Sequence, residues 1–197
     1  MLPVEIVSLL EQYISDEQRY YRYNEASGFW RWGWVQQRER LAAVALQCVA
    51  QWAGDLVEIG CQEGLTTQLF AEVARTDGRH VIAVDPWETG TPACEGGEYE
   101  KFLANIEPFK DSVEIVRLSS QSDGAREHLQ PRQLCFAYVD GLHTAAACAS
   151  DLKAVAHSRC IAVDDILWDG ALLDAYMDFA KTRNHVRQPY CREGYIL

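Results

Sequence analysis

Apolar positions along this chain alternate between two rhythms. Short continuous runs occur at residues 56–59, 80–84, 113–118, Cys135 to Val139 and Cys160 to Val163. Runs of this length suit strands buried on both faces of a parallel sheet. Between them lie longer stretches with apolar residues at helical spacing. Val4, Ile6, Val7, Leu10 and Ile14 predict a helix over residues 2–24, and Leu41, Val44, Ala45, Cys48 and Val49 predict another over residues 35–52. Further helices are expected at residues 65–74, around Tyr99, Phe102, Leu103 and Ile106, at 123–129, between the last two apolar runs, and at 170–181. The tail to Leu197 reads as a closing antiparallel hairpin. Repeated strand–helix alternation predicts an α/β domain, a mostly parallel sheet covered by helices on both faces. No internal repeat or low-complexity linker interrupts it. Residues 1–52 form a helical, aromatic-rich N-terminal segment packed on a core of residues 53–197, together expected to be a single compact domain.

The chemistry concentrates where apolar runs end in acid. Cys135–Val139 is followed by Asp140, and Cys160–Val163 by Asp164 and Asp165. A helical crossover between two parallel strands places both acidic ends on the same sheet edge, where open α/β sheets bind ligands. Three carboxylates there, with His143 shortly after Asp140, point to an oxygen-ligand metal site beside a base. Hard oxygen ligands suit Mg²⁺, Ca²⁺ or Mn²⁺ better than Zn²⁺, and an imidazole has a pKa suited to proton transfer near neutrality. The competing readings are structural. Asp164 and Asp165 could cap the next segment, and His143 could be a helix cap or a surface residue.

Val57-Glu58-Ile59-Gly60-Cys61-Gln62-Glu63-Gly64 leaves a strand and enters a helix. Gly60 permits a tight turn, Gly64 permits close approach of a ligand, and the helix start offers free N–H groups. The dinucleotide fingerprint G-x-G-x-x-G is absent, which weighs against a nicotinamide oxidoreductase. Asp85 ends the next strand, where an acid commonly holds ribose hydroxyls.

Composition narrows the partners. A formal net charge of −11 argues against nucleic acid and anionic membranes, although Arg31, Arg38 and Arg40 form a local basic patch. No window approaches the ~18 apolar residues of a membrane span, and the N-terminus lacks a basic signal region. Seven cysteines, most inside apolar runs and none paired as Cys-x-x-Cys, read as reduced buried thiols in a cytoplasmic protein. The aromatic residues Tyr20, Tyr21, Tyr23, Trp30, Trp32 and Trp34 read as a lid over an acceptor pocket or as a homodimer contact. The loop over residues 89–97 is a second candidate cover.

The set Glu58-x-Gly60-x-x-x-Gly64, Asp85-Pro86-Trp87 and Asp140 resembles class I S-adenosylmethionine-dependent methyltransferases, over roughly residues 34–166. Val139-Asp140-Gly141-Leu142-His143 with Asp151 and Val163-Asp164-Asp165-Ile166, and Gly33-Trp34 before them, resemble the metal-dependent small-molecule O-methyltransferases of macrolide-sugar and cephalosporin biosynthesis. Asp164-Asp165-Ile166-Leu167-Trp168-Asp169-Gly170 resembles the catechol and caffeoyl-CoA enzymes, which typically carry Asp-Asn here. The resemblance implies a Rossmann-like three-layer α/β/α sandwich with a seven-stranded sheet of order 3-2-1-4-5-7-6. It implies that Glu58, Gly60 and Gly64 line the methionine and ribose side of S-adenosylmethionine, that Asp85 binds the ribose, that Trp87 packs near the adenine, and that Ser120 and Gln121 approach the adenine edge. Asp140, Asp164 and Asp165 would hold Mg²⁺ or a similar ion, and His143, with Asp140 as catalytic partner, would act as base where the catechol enzymes have lysine. The implied reaction is methyl transfer to a small hydroxylated acceptor, a sugar or a phenol. A methyltransferase-like scaffold without turnover is the alternative.

Overall fold

The computed structural model describes residues 28–88, 96–181, 183–187 and 193–197. The helix expected over residues 2–24 and most of the loop at 89–97 lie outside them. The order is α1 (Gly28–Gln51), β1 (Asp55–Ile59), α2 (Leu65–Arg75), β2 (Val81–Val84), α3 (Glu98–Ile106), a 3-10 turn (Glu107–Ser112), β3 (Val113–Val116), α4 (Asp123–Leu129), β4 (Leu134–Val139), α5 (Ala145–Ala154), β5 (Cys160–Val163), α6 (Gly170–Ala180), β6 (His185–Arg187) and β7 (Gly194–Ile196). The seven strands lie in the order β3-β2-β1-β4-β5-β7-β6. Strands β1 to β5 pair in parallel, and β7 pairs antiparallel with both β5 and β6. This is the expected Rossmann-like sandwich with its closing hairpin.

Two apolar layers hold the sheet. Val57, Ile59, Val84, Val139 and Val163 face one side, where Leu129 of α4, Leu152 of α5 and Leu172 and Tyr176 of α6 pack. Leu56, Phe136, Tyr138 and Ala162 face the other, against Leu41, Ala45 and Cys48 of α1 and Leu69 and Phe70 of α2. Alternation along β1 therefore sends Glu58 to the same face as Leu56, and the register sets Glu58 beside Tyr138 and Tyr138 beside Ala162.

Two boundaries differ from the pattern-based ones by two residues or more. Helix α1 begins at Gly28 rather than at 35, because the glycines and aromatics there have low intrinsic helix propensity and hide the first turns in the sequence. Strand β3 ends at Val116, two residues early, where the Leu118 N–H turns back onto the Val116 carbonyl.

Candidate functional site

The loops after β1, β2, β4 and β5 meet at one edge of the sheet. After β1, Gly60 (φ 87°) and Gly64 (φ 78°) have left-handed backbone. A Cβ at Gly60 would lie 2.0 Å from the Asp140 carbonyl oxygen, so glycine there lets the β1 and β4 loops touch. A Cβ at Gly64 would lie 2.7 Å from the Phe102 ring, so the space beside that residue belongs to α3 packing. Asp85, at the end of β2, stitches the turn together. Its Oδ2 accepts the N–H groups of Cys61 at 2.9 Å and Gln62 at 3.1 Å, and its Oδ1 accepts that of Trp87 at 2.7 Å. Trp87 is buried against Phe102 and Tyr99, and its indole N–H donates to the Gln62 carbonyl at 2.7 Å.

Glu58 lies beneath this turn, accepting a 2.5 Å hydrogen bond from the Thr67 hydroxyl. Burial pushes its carboxyl up to about 8, with Thr67 and Arg38 opposing the shift. Arg38, on α1, is itself buried and donates to the Thr66 hydroxyl at 2.5 Å.

The acids divide into two groups. Asp140, His143 and Asp165 bring one ligand atom each within 4.8 Å of one another. His143 Nε2 lies 3.4 Å from Asp140 Oδ1 and 3.3 Å from Asp165 Oδ2. Asp164 faces inward. Its Oδ1 accepts from Gln37 Nε2 at 2.8 Å and from the Asp165 N–H at 2.7 Å, and its Oδ2 accepts from the Tyr138 hydroxyl at 2.8 Å. The same hydroxyl lies 3.3 Å from Asp140 Oδ2. Desolvation, then repulsion from Asp164, raises the Asp140 carboxyl to about 7. The hydrogen bond to Asp140 raises the His143 imidazole above its ordinary value, against the opposing effect of burial. Burial also lifts the Tyr138 phenol well above its ordinary range, which keeps it a hydrogen-bond donor.

The helix caps that follow fall on other residues, although Asp164 does accept the N–H of Asp165. Asp169 caps α6 by accepting the Leu172 N–H, and Thr144 caps α5 by accepting the Ala147 N–H. The donor set fits a divalent cation: two carboxylates and an imidazole converge, with Asp164 bracing the segment behind them. The Asp85 carboxylate beside a glycine turn fits a nucleoside diol. After β3, Gln121 donates to Ser120 Oγ at 3.1 Å, and Ser120 is buried at this edge close to Asp151. Gln37, Arg38 and Tyr138 were not anticipated as site residues. The first two are polar positions on a helix buried through tertiary contact, and Tyr138 sits inside an apolar run, so the only advance signal was the small arginine patch.

Leu142, Leu167 and Trp168 form an exposed apolar rim at 51%, 47% and 66% accessibility, and the Trp168 ring lies 5.2 Å from that of His143. The five described cysteines, Cys48, Cys61, Cys135, Cys148 and Cys160, are free and buried. Among the described residues no helix is long and apolar enough to cross a membrane.

Comparison with known proteins gives the following. A family model for a methyltransferase domain matches residues 57–166. No curated protein sequence matches the chain. Among solved structures, the TDP-rhamnose 3′-O-methyltransferase of calicheamicin biosynthesis is similar at 15% identity and TM-score 0.64, over 98% of this chain and 93% of that one. An O-methyltransferase from Bacillus cereus, solved with S-adenosylhomocysteine, is similar at 14% identity and TM-score 0.59, over 96% and 90%. A methyltransferase from Podospora anserina, also bound to S-adenosylhomocysteine, is similar at 12% identity and TM-score 0.60, over 99% and 88%.

Proposed function

The chain belongs to the methyltransferase-domain family, and on that premise we propose that it is an S-adenosylmethionine-dependent, divalent-cation-assisted O-methyltransferase acting on a small hydroxylated metabolite, a sugar or a phenol. The observation that carries this reading is the convergence of Asp140, His143 and Asp165 within 4.8 Å at the sheet edge that also holds the glycine turn and Asp85. The relative from calicheamicin biosynthesis is named for methylating a deoxysugar oxygen, which supports an oxygen acceptor.

S-Adenosylmethionine supplies an electrophilic methyl on a sulfonium, and a cation supplies Lewis acidity that lowers the pKa of a hydroxyl it contacts. The chain's residues divide the remaining work. Glu58, Gly60 and Gly64 would line the methionine and ribose side, Asp85 would take the ribose hydroxyls, and Trp87, Ser120 and Gln121 would bound the adenine. Asp140 and Asp165 would hold the cation, with Asp164 fixed behind them by Gln37 and Tyr138. His143 Nε2, within 3.4 Å of Asp140 and 3.3 Å of Asp165, would take the acceptor's proton in place of joining the cation's ligands. The exposed rim of Leu142, Leu167 and Trp168 would exclude water and support a ring. Most of the rate enhancement would come from alignment, with reacting atoms held ~3–3.5 Å apart.

Calorimetric titration of S-adenosylhomocysteine, with Mg²⁺ and again with EDTA, tests the cofactor and the cation together. Micromolar affinity that weakens in EDTA supports the whole reading. Affinity indifferent to EDTA keeps the methyltransferase and weakens the case for a cation beside the cofactor, and no binding by folded protein turns the reading to a scaffold. In the His143→Ala variant, methyl transfer to a catechol or deoxysugar acceptor should fall ~10²–10⁴-fold, the usual size of general-base catalysis, with S-adenosylhomocysteine affinity nearly unchanged. Equal losses in both would remove His143 from the base role.

A further inference from the structure

We propose that the outer face of α5 and α6 is a docking surface for a second copy of this chain, with α5 of each copy set against α6 of the other. The two helices pack side by side, on the sheet face opposite to α1. Between them, on the solvent side, runs an open groove of about 560 Å³. Its floor is Ala145 and Ala149 of α5 with Ala171 and Ala175 of α6, each pair one helical turn apart, and Phe179 continues the α6 side. Helix α5 has its polarity reversed. Its acid, Asp151, is buried beneath Gly141, while Ala146 is exposed and Ala145 and Ala149 are half-buried. A surface helix ordinarily turns charged residues to water and apolar ones to the core. Side chains as small as alanine leave a furrow that admits the ridge of another helix.

Charge selects the occupant. Lys153 continues the α5 side of the groove, exposed and with no ion-pair partner among the described residues. Asp174 and Asp178 stand exposed on the α6 side, and Asp178 meets Lys181 of its own helix end in a surface pair that holds it weakly. One positive wall and one negative wall are what a copy of the same face complements. Strands β4, β5 and β6 run the same way, so the helices that follow β4 and β5 both run back from the ligand edge and are parallel to each other. A two-fold axis along the groove then sets α5 of one copy on α6 of the other, both pointing the same way, and brings Lys153 to Asp178 and Asp174 twice. An axis across the groove would set α5 on α5 and carry the unlike charges to opposite ends. Copies of a chain with net charge −11 repel one another, which favours contact where a lysine is available to meet the acids. The face is short, two helices of 10 and 11 residues, or ~16 Å of rise each. The contact therefore falls at the small end of specific interfaces, and the dimer is expected to be weak, with a dissociation constant on the order of 10–100 μM.

Sedimentation equilibrium of the full chain across protein concentrations tests this, with no cofactor or cation needed. Wild-type protein should pass from monomer to dimer as concentration rises. Ala149→Glu, which sets a carboxylate in the floor, should weaken the dimer ~10-fold or more. Lys153→Asp and Asp178→Lys each oppose like charges twice across the two-fold axis, and each alone should weaken it ~10-fold. Mixing those two variants in equal amounts should restore association close to that of the wild type. In the mixed dimer the two altered side chains face each other as an unlike pair, and the second contact is the native one. Docking of α5 on α5 gives no such recovery. A chain that stays monomeric to about 1 mM overturns the proposal and leaves the face to a different partner. A dimer that ignores all three substitutions overturns it too, as does one lost in the single variants and not regained on mixing. Lys153 and Asp178 are exposed, so their variants decide the matter should Ala149→Glu fail to fold.

Discussion

Among the described residues, three other than glycine have left-handed backbone, and all three lie at the ligand edge: Gln62 (φ 45°), Trp87 (φ 45°) and Asp165 (φ 50°). Such residues persist where surrounding structure over-determines them, and they cluster at functional sites. The glycine beside them is constrained in space as well as angle. Gly60→Ala should cost about 3 kcal/mol or more, because its Cβ meets the Asp140 carbonyl. Gly78→Ala, with φ 65° but nothing within 4 Å, should cost only about 1–2 kcal/mol. Urea denaturation measures both, and equal losses would show that φ alone governs Gly60. Asp151 poses a different residue-level problem. It is fully buried on α5 under Gly141, and neither carboxylate oxygen has a hydrogen-bond partner within ordinary geometry, although Ser120 and Gln121 come near enough to moderate its charge. Burial raises its pKa from 3.8 to about 6. A raised folded pKa means the group's stabilising contribution is complete below the unfolded pKa and lost as pH rises through the folded one. Wild-type stability should therefore decline between about pH 4 and 7 by roughly 1–3 kcal/mol on this account, and Asp151→Asn should lack that part of the decline. Denaturation curves across that range check it, and a constant offset between the two proteins would contradict it.

At the scale of elements, α1 does more than cover the sheet. It sends Gln37 to Asp164, Arg38 to Thr66 and Arg40 to Glu193, so one helix touches the loop after β5, the first turn of α2 and the residue before β7. The Arg40–Glu193 pair is unequal: the glutamate side chain is fully buried and the arginine 30% exposed. Removing the arginine strands a buried charge, so Arg40→Ala should cost about 3 kcal/mol, and adding Glu193→Gln should recover a large part of it. Thermal or chemical unfolding of the two variants checks this, and simple additivity would show that the pair is not coupled. The same helix marks the limit of what the sequence shows. Strands β1, β2, β4 and β5 are legible because continuous burial makes them continuously apolar, and the acids at their ends are legible because each interrupts such a run. The contribution of α1 is not. Gln37 and Arg38 become site residues only when α1 crosses the ends of β4 and β5, an event of tertiary packing with no local pattern. The inward turn of Asp164 is hidden for the same reason, since the partners that hold it, Gln37 and Tyr138, are distant or nearly so in sequence.

For the whole molecule, the question is whether a cation acts at one place or on the chain at large. A net charge of −11 destabilises a compact state through self-repulsion, so any salt should stabilise this protein somewhat by screening. Site binding differs in being saturable and local. At a Mg²⁺ concentration ~100 times its dissociation constant, a single folded-state site adds about 2.7 kcal/mol, which for a chain of this length corresponds to a melting-temperature rise of about 5–10 °C. The comparison should be made against NaCl at equal ionic strength, which removes the screening part. Asp165→Asn is the informative variant. Asparagine tolerates the left-handed backbone that position 165 requires, so the substitution removes a charge without disturbing the turn. The Mg²⁺-specific rise should collapse in Asp165→Asn and survive in Asp123→Asn, whose carboxylate is 88% exposed and pairs only at the surface with Arg126. A rise that survives in both would assign the effect to the global charge and detach the cation from the cluster at Asp140, His143 and Asp165. A rise lost only in Asp165→Asn would locate it there, where repulsion between carboxylates gives a divalent ion the most to relieve.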